Sequence, residues 1–145
     1  MVIYYPFTQK VSNSIIYHIF CSNTNYKNMK DTVLLNVSSM INAYPMKDDK
    51  IAMFTICFHL LRFSCEKELL QKNPFDEQGD LNIDTIIKES DLTDLGKQLF
   101  DDLAEKWFVY TDKTDGKIDR KNNVKMLEKY FNKLKNSIKH RGLQC

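Results

Sequence analysis

The stretch Lys50 to Leu70, KIAMFTICFHLLRFSCEKELL, organises the rest of the chain. From Ile51 to Leu61 it carries no formal charge, and only Thr55 and His59 interrupt the apolar side chains. A surface helix shows one apolar stripe, whereas this segment is apolar nearly all round until Arg62. That pattern predicts a central helix wrapped by others. The run is shorter than the roughly 20 apolar residues a bilayer crossing needs, so it reads as a buried core helix and not a membrane span.

A chain of 145 residues with 43% hydrophobic and 12% aromatic content can bury a core as a single globular domain, 1–145. Only 4 glycines and 3 prolines are available for tight turns, which favours helices over a many-stranded sandwich. The expected fold is therefore mainly α, about five helices around residues 50–70, with room for a small β element at 2–5 and 81–87. The N-terminus MVIYYPFTQK has neither the basic leader nor the unbroken apolar run of a signal peptide. The expectation is a cytoplasmic protein without membrane contact. Cys21, Cys57, Cys65 and Cys145 show no CxxC and no disulfide-framework spacing, and read as reduced structural thiols.

Six flanking segments complete the pattern. Val2–Tyr5 is β-prone and Pro6 ends it. Thr8 can cap a helix with Val11, Ile15, Ile16, Ile19 and Phe20 on one face. A second helix is expected from Asp31 or Thr32, carrying Val33, Val37, Met40, Ile41 and Tyr44 and closed by Pro45. The central helix is expected to be capped by Asp48 or Asp49 and to run to about Lys72, stopped by Asn73-Pro74. Leu81, Ile83, Thr85 and Ile87 alternate like a short strand. Ser90 or Asp91 then opens a helix with Leu95, Leu99, Leu103, Trp107 and Tyr110 on its inner face. A final helix, about Asn123 to His140, places Val124, Leu127, Phe131, Leu134 and Ile138 three and four residues apart, a heptad-like seam.

Motif inspection mostly removes candidates. Thr111 to Asn122 holds the Asp-Gly-x-Ile-Asp centre of an EF-hand, but Thr111, Lys113 and Asn122 fall where that loop needs carboxylates or amides and a bidentate glutamate. Asp101-Asp102 and similar pairs point about 100° apart on a helix and do not converge. His18 and His59 sit among apolar residues as core or boundary histidines. No nucleophile–base grouping, metal-ligand spacing or glycine-rich phosphate loop is present, so no catalytic residue, metal or cofactor is expected and the chain reads as a non-enzyme.

Charge segregation is the informative feature. Asp76 to Glu105 holds ten acidic residues against Lys88 and Lys97, a local net of −8. Lys117 to Arg141 holds nine basic residues against Asp119 and Glu128, a local net of +7. Either the acidic and basic helices lie side by side and neutralise each other, or a basic face is left for phosphate or an acidic protein surface. Lys125, Lys129, Lys133 and Lys139 are the expected partner-binding residues, the first three aligned along one side. Lys117, Arg120 and Lys121 are the alternative nucleic-acid-binding set.

Leu92-Thr93-Asp94-Leu95-Gly96 resembles the LTxxG that opens the last helix of winged-helix proteins, which would imply a nucleic-acid-binding function. Tyr4-Tyr5-Pro6-Phe7-Thr8-Gln9-Lys10-Val11, the same LTDLG turn and the Lys106-Trp107 to Asp115 region resemble small middle components of bacterial ABC-three-component (Lamassu-like) anti-phage defence systems. That resemblance implies an accessory subunit beside an SMC-type ATPase and an effector. The high Lys, Asn and Ile content fits an AT-rich bacterial or phage-related source. A viral Bcl-type apoptosis regulator also wraps a central apolar helix, but its Asn-Trp-Gly-Arg signature is missing, since Phe108 follows Trp107. A toxin-neutralising immunity protein is the remaining alternative. The expected function is a non-catalytic interaction subunit of a multiprotein complex.

Overall fold

The computed structural model of the chain describes residues 31–113 and 118–144. The expected strand at Val2–Tyr5, the helix beginning near Thr8, and Cys21 and Cys145 lie outside the described residues. The fold is mainly α with a small β element. In chain order come β1 (Val33–Asn36), α1 (Val37–Asn42), α2 (Lys47–Glu66), β2 (Ile86–Lys88), a 3-10 turn at Glu89–Asp91, α3 (Asp94–Asp112), a second 3-10 turn at Arg120–Asn122, and α4 (Lys125–Gln144).

The central helix is α2, and it is shifted toward the N-terminus relative to expectation. Its N-cap is Met46, with no side-chain cap; Asp48 and Asp49 instead sit in the first turn, where carboxylates favour the positive end of the helix dipole. It ends at Glu66, not near Lys72, because Glu68 turns left-handed at φ 59. Glu68 N–H then donates to Cys65 O (3.1 Å) and Leu69 N–H to Ser64 O (2.8 Å), the two bonds of a Schellman C-cap. Asn73-Pro74 therefore lies in a loop beyond the helix and does not stop it. Met53, Ile56, Cys57, Leu60, Leu61 and Ser64 are buried, while Ile51 is 53% exposed, so the helix is less evenly enclosed than its composition suggests. Burial alone pushes the Cys57 thiol up to about 12, the behaviour of an inert core cysteine.

The second expected helix is divided. Val33–Asn36 forms an antiparallel pair with Ile86–Lys88, with Val33 opposite Lys88, Leu35 opposite Ile87 and Asn36 opposite Ile86. Asn36 then caps α1, its side chain accepting from Ser39 N–H (3.1 Å). The β-branched and leucine run Val33-Leu34-Leu35 favours the strand, and the Asn36 cap is the signal that the helix starts later. The second β segment is likewise shorter than 81–87. Leu81 makes only an isolated bridge to Phe75, Ile83 is half exposed, and Asn82 and Asp84 fold the intervening residues into an Asx turn.

The end of α2 and the start of α3 are bolted together. Thr93 N–H donates to Leu69 O (3.0 Å), and the Thr93 hydroxyl donates to Glu68 O (2.8 Å). That hydroxyl also accepts from Gly96 N–H (3.0 Å), making Thr93 the N-cap of α3. Leu70 bridges Leu92, and Gln71 N–H donates to Asp91 O (2.7 Å). Gly96 is required here: a Cβ at this position would lie 2.0 Å from Leu69 O. The LTDLG turn is thus a helix cap docked on the preceding helix end. Ser90 and Asp91, expected to open α3, belong instead to the preceding 3-10 turn.

Further along, α3 closes the core. Leu99, Phe100, Leu103, Ala104, Trp107 and Phe108 are all but fully buried, and Trp107 Nε1–H donates to Ile56 O at 3.0 Å, tying α3 to the middle of α2. On α4, Leu127 and Phe131 enter the core and Leu134 and Ile138 pack partly against it. Val124 precedes the helix and is 42% exposed, so the seam begins one position later than the spacing implies. Among the described residues no helix is long and apolar enough to cross a membrane.

Candidate protein-interaction face

The final helix fixes the direction of its lysines. With Leu127 and Phe131 anchored inward, Lys125, Lys129 and Lys133 point out, and all three are exposed. Four residues advance a helix by slightly more than one turn, so the three ammonium groups form a row. Lys139 is also exposed, but six residues past Lys133 it is turned about 120° round the helix and leaves the row.

The neighbouring helix α3 carries the complementary pattern. Asp94, Asp101 and Glu105 are exposed, and their spacing of seven and four keeps them on one face, opposite Leu103 and Trp107. Helices α3 and α4 pack against each other, as Tyr110 against Tyr130 (ring centroids 6.3 Å apart) illustrates. The acidic and basic helices are therefore side by side. Yet among the described residues no ion pair joins Asp94, Asp101, Asp102 or Glu105 to Lys125, Lys129, Lys133 or Lys139. The two stripes face outward and away from mutual contact.

The titration of Asp101 carries the mark of that arrangement. Partial burial first, then the charges of Asp102, Glu89 and Glu105, hold its carboxyl above the usual carboxylate range. The charges that act on it are acidic; a cation in contact would act the other way.

The other basic residues are used differently. Lys67 pairs with Glu128 (3.1 Å) and lies over the Phe63 and Phe131 rings, fastening α2 to α4. Lys135 lies over Phe131 at 5.7 Å. Of the alternative nucleic-acid set, Lys117 lies outside the described residues. Arg120 is half-buried, with its guanidinium 4.9 Å over the Tyr110 ring and Nη1 donating to Tyr110 O (3.5 Å). Lys121 pairs with Asp119 at 3.1 Å. Bonds from Asn122 first, then Lys121, lower the Asp119 carboxyl below its ordinary range. The structure thus brings Arg120 and Lys121 into the 3-10 turn that launches α4, while Lys125, Lys129 and Lys133 stay exposed on α4.

A polar relay braces the same turn. His59 Nε2 is 2.9 Å from Asn122 Oδ1, and Asn122 Nδ2–H donates to Asp119 Oδ2 (2.7 Å). The sequence marks His59 as a core or boundary residue, but its partner lies 63 positions away, beyond any local pattern. The acidic stripe was legible in the spacing of Asp94, Asp101 and Glu105; its lack of contact with the lysines was not. Among the described residues no group of His, Cys, Asp and Glu converges to hold a metal ion.

Comparison of the chain with protein-family models, with curated proteins and with solved structures finds no match.

Proposed function

We propose that the chain is a non-catalytic interaction subunit of a multiprotein complex, and that the lysine row of α4 receives an acidic surface of a protein partner. The observation that carries this reading is the row itself: Lys125, Lys129 and Lys133 are aligned, exposed and without an ion-pair partner among the described residues, beside a helix rich in carboxylates. Like charges four residues apart oppose each other in an isolated helix, by about 0.2–0.5 kcal/mol per pair. A row kept at that cost and left unneutralised is suited to binding. The sequence resemblance of Tyr4–Val11 and the LTDLG turn supplies the setting, a cytoplasmic anti-phage complex with an SMC-type ATPase and an effector subunit.

The test is co-purification with the products of neighbouring genes. Reversing Lys125, Lys129 and Lys133 together to Glu leaves the protein folded and abolishes partner capture. A folded triple variant that still co-purifies with its natural partners sinks the proposal. Nucleic acid as the ligand would instead show binding that falls steeply and linearly on a log–log scale with salt.

A further inference from the structure

The two stripes complement each other across two molecules better than within one. Asp94, Asp101 and Glu105 on α3, and Lys125, Lys129 and Lys133 on α4, are exposed on adjacent helices of one chain, and no ion pair joins them. Between the helices runs a groove lined on the α3 side by Asp102, Glu105, Lys106, Val109, Tyr110 and Lys113, and on the α4 side by Tyr130 and Leu134. Val109 is 40% exposed, so the groove offers apolar surface between the charged stripes.

From this arrangement we infer that the acidic surface received by the lysine row is the α3 stripe of a second copy of this chain, in a two-fold symmetric pair. The inference deepens the proposed function and rests on its reading of the lysine row. Symmetry restricts the geometry. A two-fold axis running along the groove lays α3 of each copy on α4 of the other, so acid meets base twice and the Val109 regions approach each other at the centre. An axis across the groove would lay acid on acid and lysine on lysine, and like-charge juxtaposition disfavours it. Asp101, partly buried and crowded by the charges of Asp102, Glu89 and Glu105, is a carboxylate that the lysines of the second copy would relieve. Exposed ion pairs are individually weak, so the pair is held by the repeated set together with the groove and is sensitive to salt.

Sedimentation velocity on the purified full chain tests this with two variants. One carries Lys125→Glu, Lys129→Glu and Lys133→Glu; the other carries Asp94→Lys, Asp101→Lys and Glu105→Lys. The wild type is expected to dimerise at low salt, with a dissociation constant that rises at least about tenfold as the screening length shrinks from about 30 Å at 0.01 M to about 3 Å at 1 M. Each variant alone is expected to be monomeric, with unchanged circular dichroism, and an equimolar mixture of the two to dimerise, because both reversed contacts are again complementary. A wild type that is monomeric at every salt concentration overturns the inference, as does a dimer that survives both reversals or a mixture that stays monomeric. If the purified chain is monomeric while the lysine reversal still abolishes capture of natural partners, the second-copy inference falls and the proposed function stands.

Discussion

Two regions of α3 treat polar groups in opposite ways. At its N-terminus, around Thr93 and Gly96, each polar group has a partner: Thr93 caps its own helix, its hydroxyl reaches Glu68 O, and its N–H reaches Leu69 O. Along its outer face, Asp94, Asp101 and Glu105 have no ion pair with the lysines of the helix packed beside it. The difference separates the polar groups that hold the fold from those that do not. Where backbone groups are buried, unmatched partners would cost about 1–3 kcal/mol each, so matching is enforced. On a solvated helix face the same opposition of charge contributes little to stability, and the residues can be disposed for an external surface.

The largest effect belongs to the matched side. Leu61 is fully buried on α2, and Leu61→Asp places an unpaired charge in the core. The expected loss is several kcal/mol, about 4 or more, read as a collapse of the thermal transition. An unchanged melting temperature would show that α2 is not the centre of the fold.

Next comes the joint itself. Gly96→Ala drives a Cβ toward Leu69 O, at 2.0 Å in the present geometry, and toward Leu92 Cβ at 3.2 Å. Relief requires α3 to shift off the end of α2, which should cost about 2–3 kcal/mol in urea unfolding. A variant as stable as the parent would mean that the joint is looser than its hydrogen bonds indicate.

A smaller change in the same place has the opposite sign. Glu68 holds φ 59, a conformation that suits glycine at the position following a helix end. Glu68→Gly relieves that strain while adding freedom to the unfolded chain, so the net gain is about 1 kcal/mol or less. Destabilisation by this variant would contradict the Schellman account of how α2 stops.

The outer face gives the smallest effects, and the sign follows from titration. The Asp101 carboxyl is held above its ordinary range, so the folded state binds its proton more tightly than the unfolded state. Stability from this group therefore falls as pH rises through that window, and the penalty is fully present at neutral pH. Asp101→Asn is expected to raise the melting temperature slightly at pH 7, and the advantage should vanish once pH drops below the ordinary carboxylate range. A stability loss at pH 7 would mean that Asp101 has a cationic partner after all.

Much of this contrast could be read from the residues. The apolar run at Ile51–Leu61 located α2, and four-residue spacing located the inner faces of α3 and α4. The helix ends were less legible. Nothing in Glu66-Lys67-Glu68 announces a left-handed residue, because glycine normally signals it, and the long-range bonds from Thr93 that hold the turn in place come from 25 positions away. Val33–Asn36 fits a helical spacing as well as a strand, and its pairing with Ile86–Lys88 depends on a segment 50 residues later, beyond the reach of any local pattern. For the candidate face, the acidic and basic runs were plain in the sequence. Whether they neutralise one another is a matter of how two packed helices are rotated, which spacing alone does not determine.

That rotation decides whether the lysines are paired inside the fold, and neutralising the row measures it. Urea unfolding of the triple variant Lys125→Gln, Lys129→Gln, Lys133→Gln, at low salt and at a protein concentration well below any dimer dissociation constant so that monomers are compared, should show stability equal to the parent or up to about 1 kcal/mol higher, since within one chain only like-charge repulsion along the row is removed. A loss of more than about 1 kcal/mol would show that the lysines are paired with the acidic helix inside the fold, and would contradict the account.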